Sequence, residues 1–208
     1  FNCGGGEGNE VSSVWVKVEP DASVDYSASE GNACAFTAPN VYVDPNIGQE
    51  CLDEGCGFSN NPFKTITRTL YMINPTEDNP ITIHLAAGTY SPETGETFPI
   101  NMISNVKIEG EDEETSILDA MGTSRVITME DCDNNTISDL TLTGGLAEAG
   151  YIDGSGGGMS VFSSSPTLTH VTITGNTADD GGGMYLSNSN PTPVSYTHLR
   201  AHETEADR

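Results

Sequence analysis

Ile137-Ser-Asp-Leu140-Thr-Leu142-Thr-Gly144 and, 31 residues on, Leu168-Thr-His-Val171-Thr-Ile173-Thr-Gly175 are one phrase written twice. Ile103-Ser-Asn-Val106-Lys-Ile108-Glu-Gly110 reads as an earlier copy, 34 residues upstream of the first of these. Apolar residues hold the same places and a glycine closes each phrase. Apolar-polar alternation is the periodicity of a strand, and recurrence at this length marks a stacked solenoid. One such unit cannot bury its own apolar face, so the units must stack and share one core. The expected fold is therefore all-β, a parallel solenoid. Gly156-Gly-Gly-Met159 recurring as Gly181-Gly-Gly-Met184, and Ser165-Pro-Thr167 as Asn190-Pro-Thr192, give a second, 25-residue register.

Charge is the extreme feature of the composition. Lys and Arg total 7 against 31 Asp and Glu in 208 residues, a formal net charge of -24. Such a surface repels nucleic acid and anionic lipid, and excludes both as partners. It suits an exported protein kept soluble by its charge, a divalent cation, or a basic partner. Glycine, 23 residues, is abundant, as a β chain with many turns requires. No stretch approaches the roughly 20 apolar residues of a membrane span.

The chain begins with Phe1, so an upstream signal peptide is expected. Cys3-Gly-Gly-Gly-Glu-Gly-Asn-Glu resembles the mature start of a bacterial lipoprotein, although Asn2 departs from the small residue usual before that cysteine. The resemblance makes Cys3 a candidate for lipidation, the one route to a membrane, and places the protein outside the cell or in the outer envelope of a bacterium. The other four cysteines, Cys34, Cys51, Cys56 and Cys132, permit two disulfides in three connectivities. Cys51 and Cys56 share one polar loop and are the favoured bridge, with Cys34 and Cys132 left for a second. Zinc fits poorly, because no histidine lies near the pair.

Residues 1–10 read as a flexible tether and 11–39 as a strand or linker segment around Val14-Trp-Val-Lys-Val18. The solenoid is expected over 40–193. Within it, Ile66, Leu70 and Ile73 keep helical spacing and Asn74-Pro75 ends the run, so a short helix is expected to cap the open N-terminal end of the core. Residues 145–155 read as a surface loop. Val194-Ser-Tyr-Thr-His-Leu-Arg-Ala-His-Glu-Thr204 resembles one reading frame of a transposase-based sequencing adapter. The 25-residue register asks for a match to Leu168 at position 193 and finds Pro. Residues 194–208, including His198 and His202, are therefore set aside as foreign, and the solenoid is expected to be truncated at its C-terminus.

Tyr42-Val-Asp44, Asn61-Pro-Phe-Lys-Thr-Ile66, His84-Leu-Ala-Ala-Gly-Thr-Tyr90 and Gly95-Glu-Thr-Phe-Pro99 together resemble the domain of unknown function 1565 family. The resemblance implies a right-handed parallel β-helix of the pectin-lyase-like kind over residues 40–193, and brings no catalytic residues. The Gly-Gly-Gly-Met element with Thr174-Gly-Asn-Thr-Ala178 also resembles the repeats of polymorphic outer-membrane proteins.

Catalysis finds little support in the residues. Polysaccharide lyases need a base, and before the tail the chain offers only Lys17, Lys64, Arg68, Lys107 and Arg125. Lys107 and Arg125 could share a face, but solvated surface roles are expected for both. Asp179-Asp180 resembles the paired carboxylates of a glycosidase, yet its Ala178-Asp-Asp-Gly-Gly setting is that of a turn. His84 is expected to point outward from a strand, and His170, at the position of Asn105 and Asp139, to bond within a bend. The metal candidate is calcium, held weakly by Asp131, Asp133 and Asn135, the start of an EF-hand-like loop without its glycine and distal glutamate. No other cofactor is expected. Asn134, Asn135 and Asn176 are candidates for stacked amide ladders.

These observations point to an exported binding or adhesion scaffold without catalysis, meeting a cell-surface glycan or protein. The competing class is a carbohydrate-active enzyme, lyase or hydrolase, whose site lies on coils beyond residue 193.

Overall fold

The structure, a computed structural model, describes residues 38–47, 56–148, 154–195 and 199–200. The expected tether, the Val14–Val18 strand, Cys3, Cys34, Cys51 and most of the tail lie outside the described residues. The chain opens with β1 (Asn40–Val43) and the short helix α1 (Ile66–Met72). Four turns of solenoid follow. They comprise β2 (Ile81–Leu85), β3 (Gly88–Tyr90) and β4 (Ile100–Asn101), then β5 (Val106–Gly110), β6 (Ser116–Asp119) and β7 (Ile127–Glu130). Next come β8 (Thr136–Thr143), β9 (Leu146–Ala147) and β10 (Met159–Phe162), then β11 (Thr167–Thr174), β12 (Thr177–Ala178) and β13 (Met184–Ser187). β14 (Thr192–Ser195) and β15 (Leu199–Arg200) complete the order. The fold is a right-handed parallel β-helix, as expected.

Every paired strand lies parallel to one in the neighbouring turn, in sheets ordered β1-β2-β5-β8-β11-β14 and β4-β7-β10-β13. Parallel register places like residues over one another. Val41, Ile83, Ile108, Ile137 and Leu168 form one buried row across five strands. Tyr90, Leu118, Leu142 and Ile173 form a second, and Ile100, Ile127 and Met159 a third. Each residue packs against its equivalents above and below, so a turn contributes to the core only through its neighbours.

The register confirms part of the repeat and corrects the rest. Ile137, Leu140 and Leu142 pair with Leu168, Val171 and Ile173 at the 31-residue offset. Ile108, however, pairs with Ile137 and not with Leu142. The reason lies at the corner. β8 and β11 each bend at one residue of positive φ, Asp139 (57°) and His170 (48°), and continue as a single strand. In the preceding turn the bend is the longer segment 111–115, which splits the same path into β5 and β6. Gly110 is required there, because any Cβ would strike the Asp139 carbonyl. Asn105 stacks on Asn134, a different corner, and the two amides bond at 3.2 Å. The 25-residue register holds for Met159 over Met184 and for Thr167 over Thr192, reaches Leu168 over Pro193, and then shifts.

The helix is fixed by a remote carboxylate. Glu96 is buried, and its oxygens accept from the Ile66 and Thr67 amides at 2.6 and 3.1 Å. A third bond comes from Thr97 N at 3.0 Å. An acid at these free amides satisfies the donors that a helix start leaves open, while Thr65 caps Arg68 N at 3.2 Å. α1 thereby lies against β1 and β4, covering the N-terminal end of the core with Ile66 buried. Replacing Glu96 by Ala should cost about 1–3 kcal/mol, the range for orphaning buried donors. A thermal or urea melt that leaves the midpoint unmoved would refute this anchoring.

Candidate functional site

Alternation turns every second residue of the long sheet outward, and register aligns these residues too. Tyr42 on β1, His84 on β2 and Glu109 on β5 form one outward row. A cleft of about 450 Å³ opens over them. Its polar lining is Tyr42, Asp44, Ser59, His84, Glu109 and Glu111, with Ile47 and Pro62 among its apolar walls. The Tyr42 and His84 rings stack, centroids 5.0 Å apart and planes 22° from parallel.

His84 is held at both nitrogens. Nδ1 lies 3.2 Å from a Glu109 carboxylate oxygen, and Nε2 lies 2.8 Å from Asn40 Oδ1. The ring is thereby oriented from both sides. Asp44 accepts from Asn46 N at 2.8 Å, and Glu111 accepts from Ala87 N at 3.1 Å. Beneath the cleft, the Tyr90 hydroxyl donates to the carbonyls of Val43 and Ala86, both at 3.0 Å. Burial pushes that phenol well above its ordinary range, with the nearby carboxylates of Asp44, Glu96 and Glu111 adding to the shift. Tyr90 is a structural tie. What remains at the cleft is an aromatic pair with a rim of three carboxylates and neither Lys nor Arg among its lining residues.

The other expected residues are scattered. Asn135 turns inward, 4% exposed, and donates to the carbonyls of Ile103 and Val106 at 2.7 and 3.0 Å. Asp131 and Asp133 stay exposed, so the three are not gathered as a calcium site. Among the described residues no three of His, Cys, Asp and Glu come together to hold a metal. Asn176 bonds Leu142 O and Gly145 N of the preceding turn, so the inner amides link turn to turn and do not stack on one another. Arg125, expected at the surface, is 5% exposed. It precedes a strand of the other sheet, so it shares no face with Lys107 on β5. Asp179 and Asp180 are exposed turn residues whose amides bond Gly154 O. His170 meets Asp139 at 3.0 Å across one corner, the bend role expected of it.

Cys56 is disulfide-bonded. Cys132, a possible disulfide half on sequence grounds, is instead a buried free thiol. It takes a serine's place in a corner ladder. Cys132 Sγ donates to the carbonyl two residues back, at 3.2 Å, as the hydroxyls of Ser164 and Ser189 do at 2.9 and 2.8 Å. Burial pushes the thiol above its usual range, which keeps it unreactive.

The cleft was not visible in the sequence, since its row is drawn from residues 25 and 42 apart. The family resemblance did mark its neighbourhood. Residues 48–129 match the family model described as protein of unknown function, DUF1565. The similarity is to a family without an assigned role. The match is narrower than the 40–193 over which the resemblance was expected to hold, and Tyr42-Val-Asp44 falls outside it. No curated protein matches. A solved structure of a pectin methylesterase mutant in complex with hexasaccharide IV aligns at 14% identity and TM-score 0.46 over 76% of this chain. The chain spans 50% of that protein's length, and no residue role is carried over from it.

Two substitutions test these corner roles, the first of them against calcium binding. Asn135→Asp would improve a calcium loop, but should instead cost about 2 kcal/mol or more by setting a carboxylate against two carbonyls in the core. A calcium-dependent gain in melting temperature for that variant would overturn the assignment. Cys132→Ser, which keeps the ladder bonds, should lie within about 1 kcal/mol of the parent.

Proposed function

We propose that this β-helix is an exported, non-catalytic binding scaffold whose ligand seats in the Tyr42–His84 cleft. The observation that carries the reading is the outward row Tyr42–His84–Glu109, an ordered aromatic pair inside a carboxylate rim. The ring pair offers an apolar and quadrupolar surface, and Asp44, Glu109 and Glu111 favour a basic group. A chain of net charge -24 adds long-range attraction for the same partner. A basic protein segment therefore fits the cleft better than an acidic glycan. The Cys56 disulfide supports an oxidising compartment, and a lipid on Cys3 is the proposed means of attachment to the envelope.

The test is a binding screen with the intact chain against basic peptides and against neutral and acidic oligosaccharides. Basic peptides should be retained, more weakly as salt rises. Tyr42→Ala should weaken them about tenfold without moving the melting temperature, the scale of a partly desolvated cation–π contact. Retention of a polyuronate accompanied by chain cleavage would sink the scaffold reading in favour of a carbohydrate-active enzyme.

A further inference from the structure

A second outward row borders the cleft beside Tyr42, His84 and Glu109. Val43, Leu85 and Gly110 stand in register as buried residues. The next residue after each is Asp44, Ala86 and Glu111, and all three line the cleft. Two of them are acids, and the middle one carries only a methyl group. Neighbouring strands lie about 4.8 Å apart, which sets Asp44 and Glu111 about 10 Å apart at the backbone with Ala86 between them.

Each member of this row is tied down. Asp44 N donates to Phe63 O at 2.8 Å, in the segment 56–63 that also accepts from Tyr42 N at Gly57 O, 3.0 Å away. Asp44 Oδ1 accepts from Asn46 N at 2.8 Å, and Asn46 Nδ2 donates to Ala87 O at 3.0 Å. The Ala87 amide donates in turn to Glu111 Oε2 at 3.1 Å, while Glu111 N donates to Ser116 Oγ at 2.9 Å. Ala87 thus links the two acids, through its carbonyl to Asn46 and through its amide to Glu111. From beneath, the Tyr90 hydroxyl donates to Val43 O and Ala86 O, and the charges of Asp44 and Glu111 both push that phenol upward. Both acids therefore bear on one spot. A cleft held in this way before its ligand arrives loses little freedom on binding.

We propose that Ala86 is the specificity-determining residue of this cleft, and that the group it admits is an arginine guanidinium seated over its methyl between Asp44 and Glu111. The small side chain leaves the gap between the acids open, and a larger one would fill it. A guanidinium is flat and carries N–H donors along opposite edges, so one such group faces both carboxylates at once. An ammonium is a compact, strongly hydrated point charge with no second edge to offer. Glu109 already meets His84 at 3.2 Å, whereas the backbone amides that hold Asp44 and Glu111 leave their charge uncancelled. The inference rests on the basic-partner reading above and narrows it from cations in general to one.

The test is a calorimetric titration of the intact chain with two peptides of equal length and charge, one built on arginine and one on lysine. The arginine peptide should bind about five times more tightly, the scale of one further charge-assisted bond at a partly exposed position. Ala86→Leu should weaken the arginine peptide about tenfold and erase the preference, because its side chain occupies the seat. Ala86→Ser, which keeps the room, should keep the preference. Glu111→Gln, which removes the charge but still accepts from Ala87 N, should erase it. A melting curve for each variant reports whether the fold is intact. Equal binding of the two peptides by the parent chain would overturn the seat, as would a preference that survives in Ala86→Leu. Either result leaves the broader reading standing, since that asks only that basic peptides bind by way of Tyr42. Failure of both peptides to bind overturns the reading and the seat together. If Ala86→Leu does not fold, Glu111→Gln decides, and a preference retained there sinks the proposal.

Discussion

Hydrogen bonding between successive turns governs this molecule. A strand here finds its main-chain partners about one turn away in sequence, at offsets such as the 25 residues between β2 and β5 or the 31 between β8 and β11. A turn alone therefore has neither its ladder nor its apolar row, and the ends of the stack need special treatment. At the N-terminal end the chain supplies it twice, with α1 laid on β1 and β4 and with the 56–63 segment along the free edge of β1. Glu96 links that end to the body, reaching across 30 residues from the first full turn to the helix amides. The family motif Gly95-Glu-Thr-Phe-Pro99 thus has a structural explanation in its acid.

Alternation of apolar residues was enough to read the class of fold, because in a parallel stack every inward position meets its own equivalent. It was not enough to read the register everywhere. The pattern of Val106-Lys-Ile108 matches either half of β8, and only the length of the intervening corner decides between them. Corners also account for the residues misplaced by sequence reasoning. Arg125, Cys132 and Asn135 all lie between strands, where polarity suggests solvent, yet all three are buried. At a corner the ladder is interrupted and main-chain groups face inward, so a polar side chain there can satisfy them from inside the stack. Asn135 and Asn176 do so for carbonyls of the turn before.

The cleft was hidden for the opposite reason. Tyr42, His84 and Glu109 each sit at an ordinary outward strand position, and none carries a local motif for binding. Their meeting is a property of register alone, which in turn depends on the spacing of β1, β2 and β5. The expectation that His84 points outward was correct, but the sequence held no sign that Asn40 and Glu109 would engage both sides of its ring.

The acidity of the chain also divides into two kinds once the bonds are traced. Many carboxylates serve the backbone. Asp44, Asp112 and Asp119 accept from amides two residues on, and Glu96 and Glu111 from amides of other segments. A fold with one short helix among its described residues and a bend at every corner leaves many amides without ladder partners, and short acids answer them. That part of the charge is first a consequence of architecture, although Asp44 and Glu111 also stand at the rim of the cleft. Glu109 differs, because among the described residues its side chain meets the His84 ring at the mouth of the cleft. Placement in that outward row separates Glu109 from the carboxylates at the corners of the solenoid.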